Sequence, residues 1–222
     1  MWPSDIADLM ALQSQLAAVR PAPRDVSTDV VAGCFVCFGR GGQGPGAAGD
    51  RGWAAAAVVS GAKTIAVSVA EGFSAGPYEP GLLAMREGPL LEAAVRSLGD
   101  MPPVLLVNAT GRDHPRRAGL ALHLGAALEV TTVGVTHRPL LAAGEWPGQE
   151  RGATSPLLLD GDLVGYWVRT RRRARPLAVN AAWGTDPDLA VEIVLAATGR
   201  ARTPEPIRAA RRAARRARSE EA

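Results

Sequence analysis

Two short apolar runs, PPVLLVN at 102–108 and TTVGVT at 131–136, enclose the segment HPRRAGLALHLGAAL at 114–128. Neither run alternates with polar residues as a half-wet strand does, so each reads as a buried strand. The segment between them has helical periodicity, with Pro115 suited to a first helical turn and His114 just ahead of it. Strand, helix and buried strand in that order commit the chain to an α/β sheet with helices packed on it. At 222 residues the chain is long enough for one sizeable core.

The rest of the chain extends this plan. DVVAGCFVCF (29–38) is β-rich, and WAAAAVVS (53–60) and TIAVSVA (64–70) flank a hairpin-sized Gly61-Ala62-Lys63. The glycine-rich GRGGQGPGAAGDRG (39–52) lies between strands and precedes no helix, so it is read as a connecting loop, not a phosphate cradle. PGLLAMREGPLLEAAVRSL (80–98) is helical, with Gly88-Pro89 expected to bend or restart it. SPLLLDGDLVGYWVRT (155–170) is a hairpin turning at Asp160-Gly161, followed by a strand at 176–180 and a helix at 186–198. The expectation is one α/β domain over 1–222, a mixed central sheet flanked by helices. Residues 1–20 form an N-terminal helix and 204–222 a basic C-terminal helix and tail. Ser4 is expected to cap the first helix, with Ile6, Leu9, Met10, Leu16 and Val19 on one face and Gln13 interrupting it.

Charge and cysteine content narrow the class. The net charge is +3 and Lys63 is the sole lysine, so the basic charge is arginine. Two clusters, RTRRRAR (169–175) and RAARRAARRAR (208–218), read either as phosphate contacts or as solvated faces. Cys34 and Cys37 share one strand, without a second pair or nearby histidine to make a zinc site, and read as small buried residues in a reducing cytosol. No apolar run approaches the roughly 20 residues of a membrane span. The N-terminus lacks signal-peptide features, and the expectation is a cytoplasmic protein that does not engage membranes.

Four stretches together resemble the endonuclease V family: PYEPGLLAMREGPLL (77–91), VLLVNATGRDHPRRAGLALHLG (104–125), TTVGVTHRPL (131–140) and RTPEPIRAA (202–210). Their order and spacing carry the match across about residues 5–215. The resemblance implies a ribonuclease H-like fold and a nuclease acting at inosine in DNA or RNA with Mg²⁺ or Mn²⁺ held by carboxylates. Glu87 and His114 match family catalytic positions and are retained. Phe35 and Asn108 stand where the family has aspartates, His137 where it has lysine, and Trp183 where it has histidine. Tyr78, between Pro77 and Pro80, resembles the wedge that enters the base stack, although Glu79 replaces an apolar wedge residue. Gly81, Leu82, Leu83 and Gly111 match positions that shape the base pocket, and Arg116 and Arg117 are candidates for tracking phosphates.

Glu87 alone is a poor metal site, because Mg²⁺ is usually held by one or two carboxylates and substrate oxygens in octahedral geometry. The expectation is therefore an endonuclease V-like protein with impaired or lost phosphodiester hydrolysis and nucleic-acid binding retained. One alternative is an active nuclease with rearranged ligands such as Glu87, Asp113 and His114. The other is a protein-interaction scaffold without nucleic-acid function. Asp113 is read first as a helix cap and Asp50 as a solvated loop residue.

Overall fold

The computed structural model describes residues 2–40 and 44–220; residues 41–43 of the glycine-rich loop and the last two of the tail lie outside them. The helices are α1 (Ile6–Ala18), α2 (Leu83–Arg96), α3 (Leu120–Leu128), α4 (Pro187–Ala196) and α5 (Glu205–Glu220). The strands are β1 (Val30–Phe38), β2 (Arg51–Ser60), β3 (Lys63–Phe73), β4 (Val104–Val107), β5 (Thr131–Thr136), β6 (Thr154–Leu159), β7 (Asp162–Val168) and β8 (Leu177–Ala181). They form one sheet in the order β3-β2-β1-β4-β5-β8-β7-β6. β1, β4 and β5 run parallel at its centre, and the remaining neighbours are antiparallel. The buried strands expected at 102–108 and 131–136 are thus central, with all four residues of β4 inaccessible to solvent.

Alternation along β1 divides its side chains between two helical layers. Ala32, Cys34 and Val36 join the core beneath α1, α2 and α3, with Leu91, Val95 and Leu122. On the opposite face Phe35 and Cys37 pack with Trp53, Ala55 and Ala57 of β2 and with Ala209, Ala210 and Ala214 of α5. The alanine stripe lets the arginine-rich α5 lie close on the sheet, with Arg212 and Arg216 left exposed. Both cysteines are free and buried, and burial pushes both thiols up.

Several local expectations are corrected. Asp5, not Ser4, caps α1, accepting from the N–H groups of Ala7 and Asp8. Leu9 and Leu16 are buried as expected, but Ile6, Met10 and Val19 are exposed and the intruding Gln13 is fully buried. α2 runs through Gly88-Pro89 without a break. Proline's fixed φ is helical, so it removes one N–H without redirecting the chain, and Ala84 and Met85 before it and Leu90, Leu91, Ala94 and Val95 after it anchor the helix in the core.

The segment 114–117 is not the start of α3. It is a tight turn, closed by the Arg117 N–H donating to the His114 carbonyl at 2.9 Å, with Arg117 at φ 55°. α3 begins at Leu120 behind Gly119, which has no side chain to cap it. Asp113 consequently caps nothing. Asp50 is no free loop acid either: it pairs with Arg86 at 2.7 Å and accepts from the Ala47 N–H. The hairpin at Asp160-Gly161 forms as expected, both residues having positive φ.

Candidate functional site

Because β1, β4 and β5 are parallel, their C-terminal ends open at the same edge of the sheet. β4 pairs with β1 only as far as Cys34 and then ends, leaving the last residues of β1 without a neighbour on that side. Two hollows occupy this end. The smaller, about 230 Å³, is lined by Cys34, Phe35, Val36, Tyr78, Leu83, Glu87, Leu91 and Asn108. The larger, about 270 Å³, is lined by Tyr78 to Gly81, Leu83, Asn108 to Thr110, His114 and the 136–140 segment, among others. Tyr78, Leu83 and Asn108 belong to both, so the hollows adjoin.

The smaller hollow brings together three of the expected positions. Glu87 comes from the first half of α2, Asn108 from the end of β4, and Phe35 from the unpaired flank of β1. Burial pushes the Glu87 carboxyl up to about 7, which disfavours its charged form relative to an ordinary carboxylate. Phe35 borders the hollow, and its ring lies under two guanidiniums of α5, Arg211 at 4.9 Å and Arg215 at 6.0 Å from the ring centroid. Among the described residues, no group of three or more His, Cys, Asp or Glu is placed to hold a metal ion.

The larger hollow is built around one carbonyl. Gly81, at φ 82°, turns the chain into α2 and presents its oxygen to Gln13, His114 and Arg116, at 3.2, 3.1 and 2.9 Å. Gln13 returns the contact by accepting from Arg116 Nε at 2.7 Å. His114 Nδ1 accepts from the Arg116 N–H at 3.2 Å, which assigns the ring proton to Nε2, the donor to Gly81. Burial, reinforced by Arg116, holds the His114 pKa down at about 4, so the ring is neutral. Gln13 was missed as a site residue, and the signal for it was its position, a polar residue breaking an apolar stripe.

Asp113, fully buried, fixes the opposite wall. Its two oxygens accept the N–H groups of Leu140, Leu141 and Ala142 at 2.5 to 2.8 Å. Tyr78 stands at the mouth, 48% exposed, between the exposed Pro77 and Pro80. Beneath it Arg86 is buried, donating to Ala47 and Gly76 carbonyls as well as pairing with Asp50.

Other expected residues lie elsewhere. Leu82 is buried in the core, and only Leu83 reaches the hollows. Gly111 is needed for packing against β8, since a Cβ there would meet the Ala181 oxygen at 2.1 Å. Arg116 is engaged with Gly81 and Gln13, and Arg117 with Leu159, Asp160 and Asp162, so neither points to an incoming strand. His137 is exposed just beyond β5 and outside both hollows. Trp183 follows β8, antiparallel to β5, and bonds through its backbone to Thr132, at the end of β5 away from Asn108.

A family model for endonuclease V matches residues 12–212. The chain belongs to the endonuclease V family. It is 40% identical over 195 residues to endonuclease V of Methanopyrus kandleri, covering 86% of this chain and 80% of that one. The crystal structure of endonuclease V from Streptomyces avermitilis superposes with a TM-score of 0.87 at 34% identity, covering 99% and 96% of the two chains. The fold, ribonuclease H-like, extends to endonuclease V of Ciona intestinalis, solved with a 24-mer DNA containing an inosine followed by a ribo-adenosine. There the TM-score is 0.77 at 22% identity over 98% and 99% of the chains. No helix of the described residues is long and apolar enough to cross a membrane.

Proposed function

We propose that this endonuclease V homologue binds inosine-bearing strands without efficiently cutting them. The observation that carries the reading is the smaller hollow, where Phe35, Glu87 and Asn108 meet and supply a single carboxylate. That carboxyl is pushed up to about 7 by burial, and no other residue lining the hollow offers a second carboxylate. Hard divalent cations favour ionised oxygen ligands, so this donor set does not fit Mg²⁺ or Mn²⁺. Losing the electrostatic stabilisation a metal gives a transferring phosphate lowers rates by on the order of 10³-fold.

The larger hollow supports retained recognition. Its wall is backbone around Gly81 and Thr110 with a neutral His114, and Tyr78 offers an aromatic edge at the mouth. Such a pocket suits a base taken out of the stack, whose unstacking costs a few kcal/mol that an aromatic surface partly offsets.

A nuclease using Glu87, Asp113 and His114 as rearranged ligands finds no support in this geometry. Asp113 accepts three amides, and both ring nitrogens of His114 are hydrogen-bonded within the protein.

The test is a paired cleavage and binding assay on strands with and without inosine, with and without Mn²⁺. Selective binding of the inosine strand without nicking is the expected result. Efficient Mn²⁺-dependent nicking that disappears in Glu87→Ala overturns the reading.

A further inference from the structure

The arginine cluster at 169–175 has no part in either hollow, yet it is built into a defined surface. β7 runs parallel to β5, both being antiparallel to β8, so the segment after Val168 emerges at the same sheet edge as Asn108. It stands three strands from β4, about 14 Å away at the usual strand spacing. Its first residue, Arg169, is buried and structural, donating to the carbonyls of Pro147 at 2.8 Å and Gly148 at 2.6 Å. The Arg173 N–H donates to Gln149 at 2.9 Å, and Arg172 pairs with Glu150. The turn and the 146–150 segment are therefore fastened together.

That fastening holds the 147–150 segment, which follows Trp146, against a turn whose Arg171, Arg172, Arg173 and Arg175 are exposed. Trp146 is itself 57% exposed, although its edge is steadied against Trp167 at 6.3 Å and 73°. A large exposed aromatic, held at one edge on a segment joined to an exposed arginine turn, is the composition of a stacking platform for unpaired bases with a cationic track for phosphates. Separately, Arg211 and Arg215 of α5 lie over the Phe35 ring.

We propose that Trp146 and the 171–175 turn form a second docking platform for single-stranded nucleic acid, distal to the hollows. Trp146 stacks a base, and the arginines hold neighbouring phosphates whatever the sequence. The platform rests on the reading of this protein as a strand binder, but it differs in being indifferent to inosine.

The experiment measures binding of labelled single-stranded DNA and RNA, with and without inosine, in EDTA across a salt series. Trp146→Ala is expected to weaken all four probes about tenfold, with Trp146→Phe restoring most of the loss. Arg171→Ala, Arg173→Ala and Arg175→Ala combined should flatten the slope of log K against log salt by about 2. Tyr78→Ala, by contrast, should affect the inosine strands alone.

Inosine-selective binding that survives both platform changes overturns this inference and leaves the proposed function standing. Platform-dependent binding without inosine selectivity does the reverse. A wild-type protein that binds none of the probes overturns both.

Discussion

Around Gly81, one carbonyl gathers three donors, a buried glutamine among them, while in the adjoining hollow Glu87 is the single carboxylate. The two regions meet at Tyr78, Leu83 and Asn108. One is saturated with hydrogen bonds within the chain, and its form does not depend on a ligand. The other region, lined by Phe35, Glu87 and Asn108, offers one carboxylate. The contrast teaches that geometry built into the folding core needs no ligand to hold it. A site of mutually repelling acids contributes little to stability, so under the proposed function its acids could be replaced without unfolding the chain.

The change of largest effect reverses the contrast. Phe35→Asp with Asn108→Asp should raise Mn²⁺-dependent nicking of inosine strands by about 10³-fold or more. If the double variant stays inert, Arg211 and Arg215, which lie over the Phe35 ring, are the next targets, since they would neutralise a carboxylate placed there. Adding Arg211→Ala to the double variant should then release activity.

Next is the wall of the larger hollow. Asp113→Ala leaves three amides without their charged acceptor and should cost about 3–5 kcal/mol in denaturant unfolding. A loss below 1 kcal/mol would mean that the region is not the rigid half of the pair.

The two regions also oppose one another in pH. Glu87 is raised from 4.5 to about 7 on folding, so between those values the folded state binds the extra proton and stability falls as pH rises. His114 is lowered from 6.5 to about 4, so across that window the unfolded state binds the extra proton and stability rises with pH. The slopes offset each other where the windows overlap. Glu87→Gln should match wild type near pH 4, gain on it through pH 4.5–7 by on the order of 2 kcal/mol, and expose the rising His114 limb. Unfolding curves at a pH series, read for both proteins, check this.

The smallest effect on stability belongs to Tyr78. Being half-exposed, Tyr78→Ala should shift unfolding by less than about 0.5 kcal/mol while weakening inosine-strand binding several-fold.

The central strands were legible because β4 and β5 are apolar runs whose burial leaves no polar alternation, and the Asp160-Gly161 turn because it needs positive φ twice. The convergence of Phe35, Glu87 and Asn108 followed from family resemblance, not from spacing along 73 positions of chain. What escaped notice is long-range. His114-Pro115 fits a helix start and a tight turn equally well, and the choice is made by Gly81, 33 residues away. Asp113 looked like a cap because its acceptors' partners come 27 to 29 residues later. Arg116 and Arg117 looked free because a sequence does not reveal that Gln13 and Leu159 will occupy them.

The Asp113 carboxylate has a further use as a clock. Leu140 lines the larger hollow, and its amide, with those of Leu141 and Ala142, is tied to one side chain. Any opening of that wall must release the three amides together, so their hydrogens should exchange with solvent deuterium at one common rate. A base lodged in the hollow would slow all three in step. Strand engagement is then readable from the backbone itself, without a cleavage product to count.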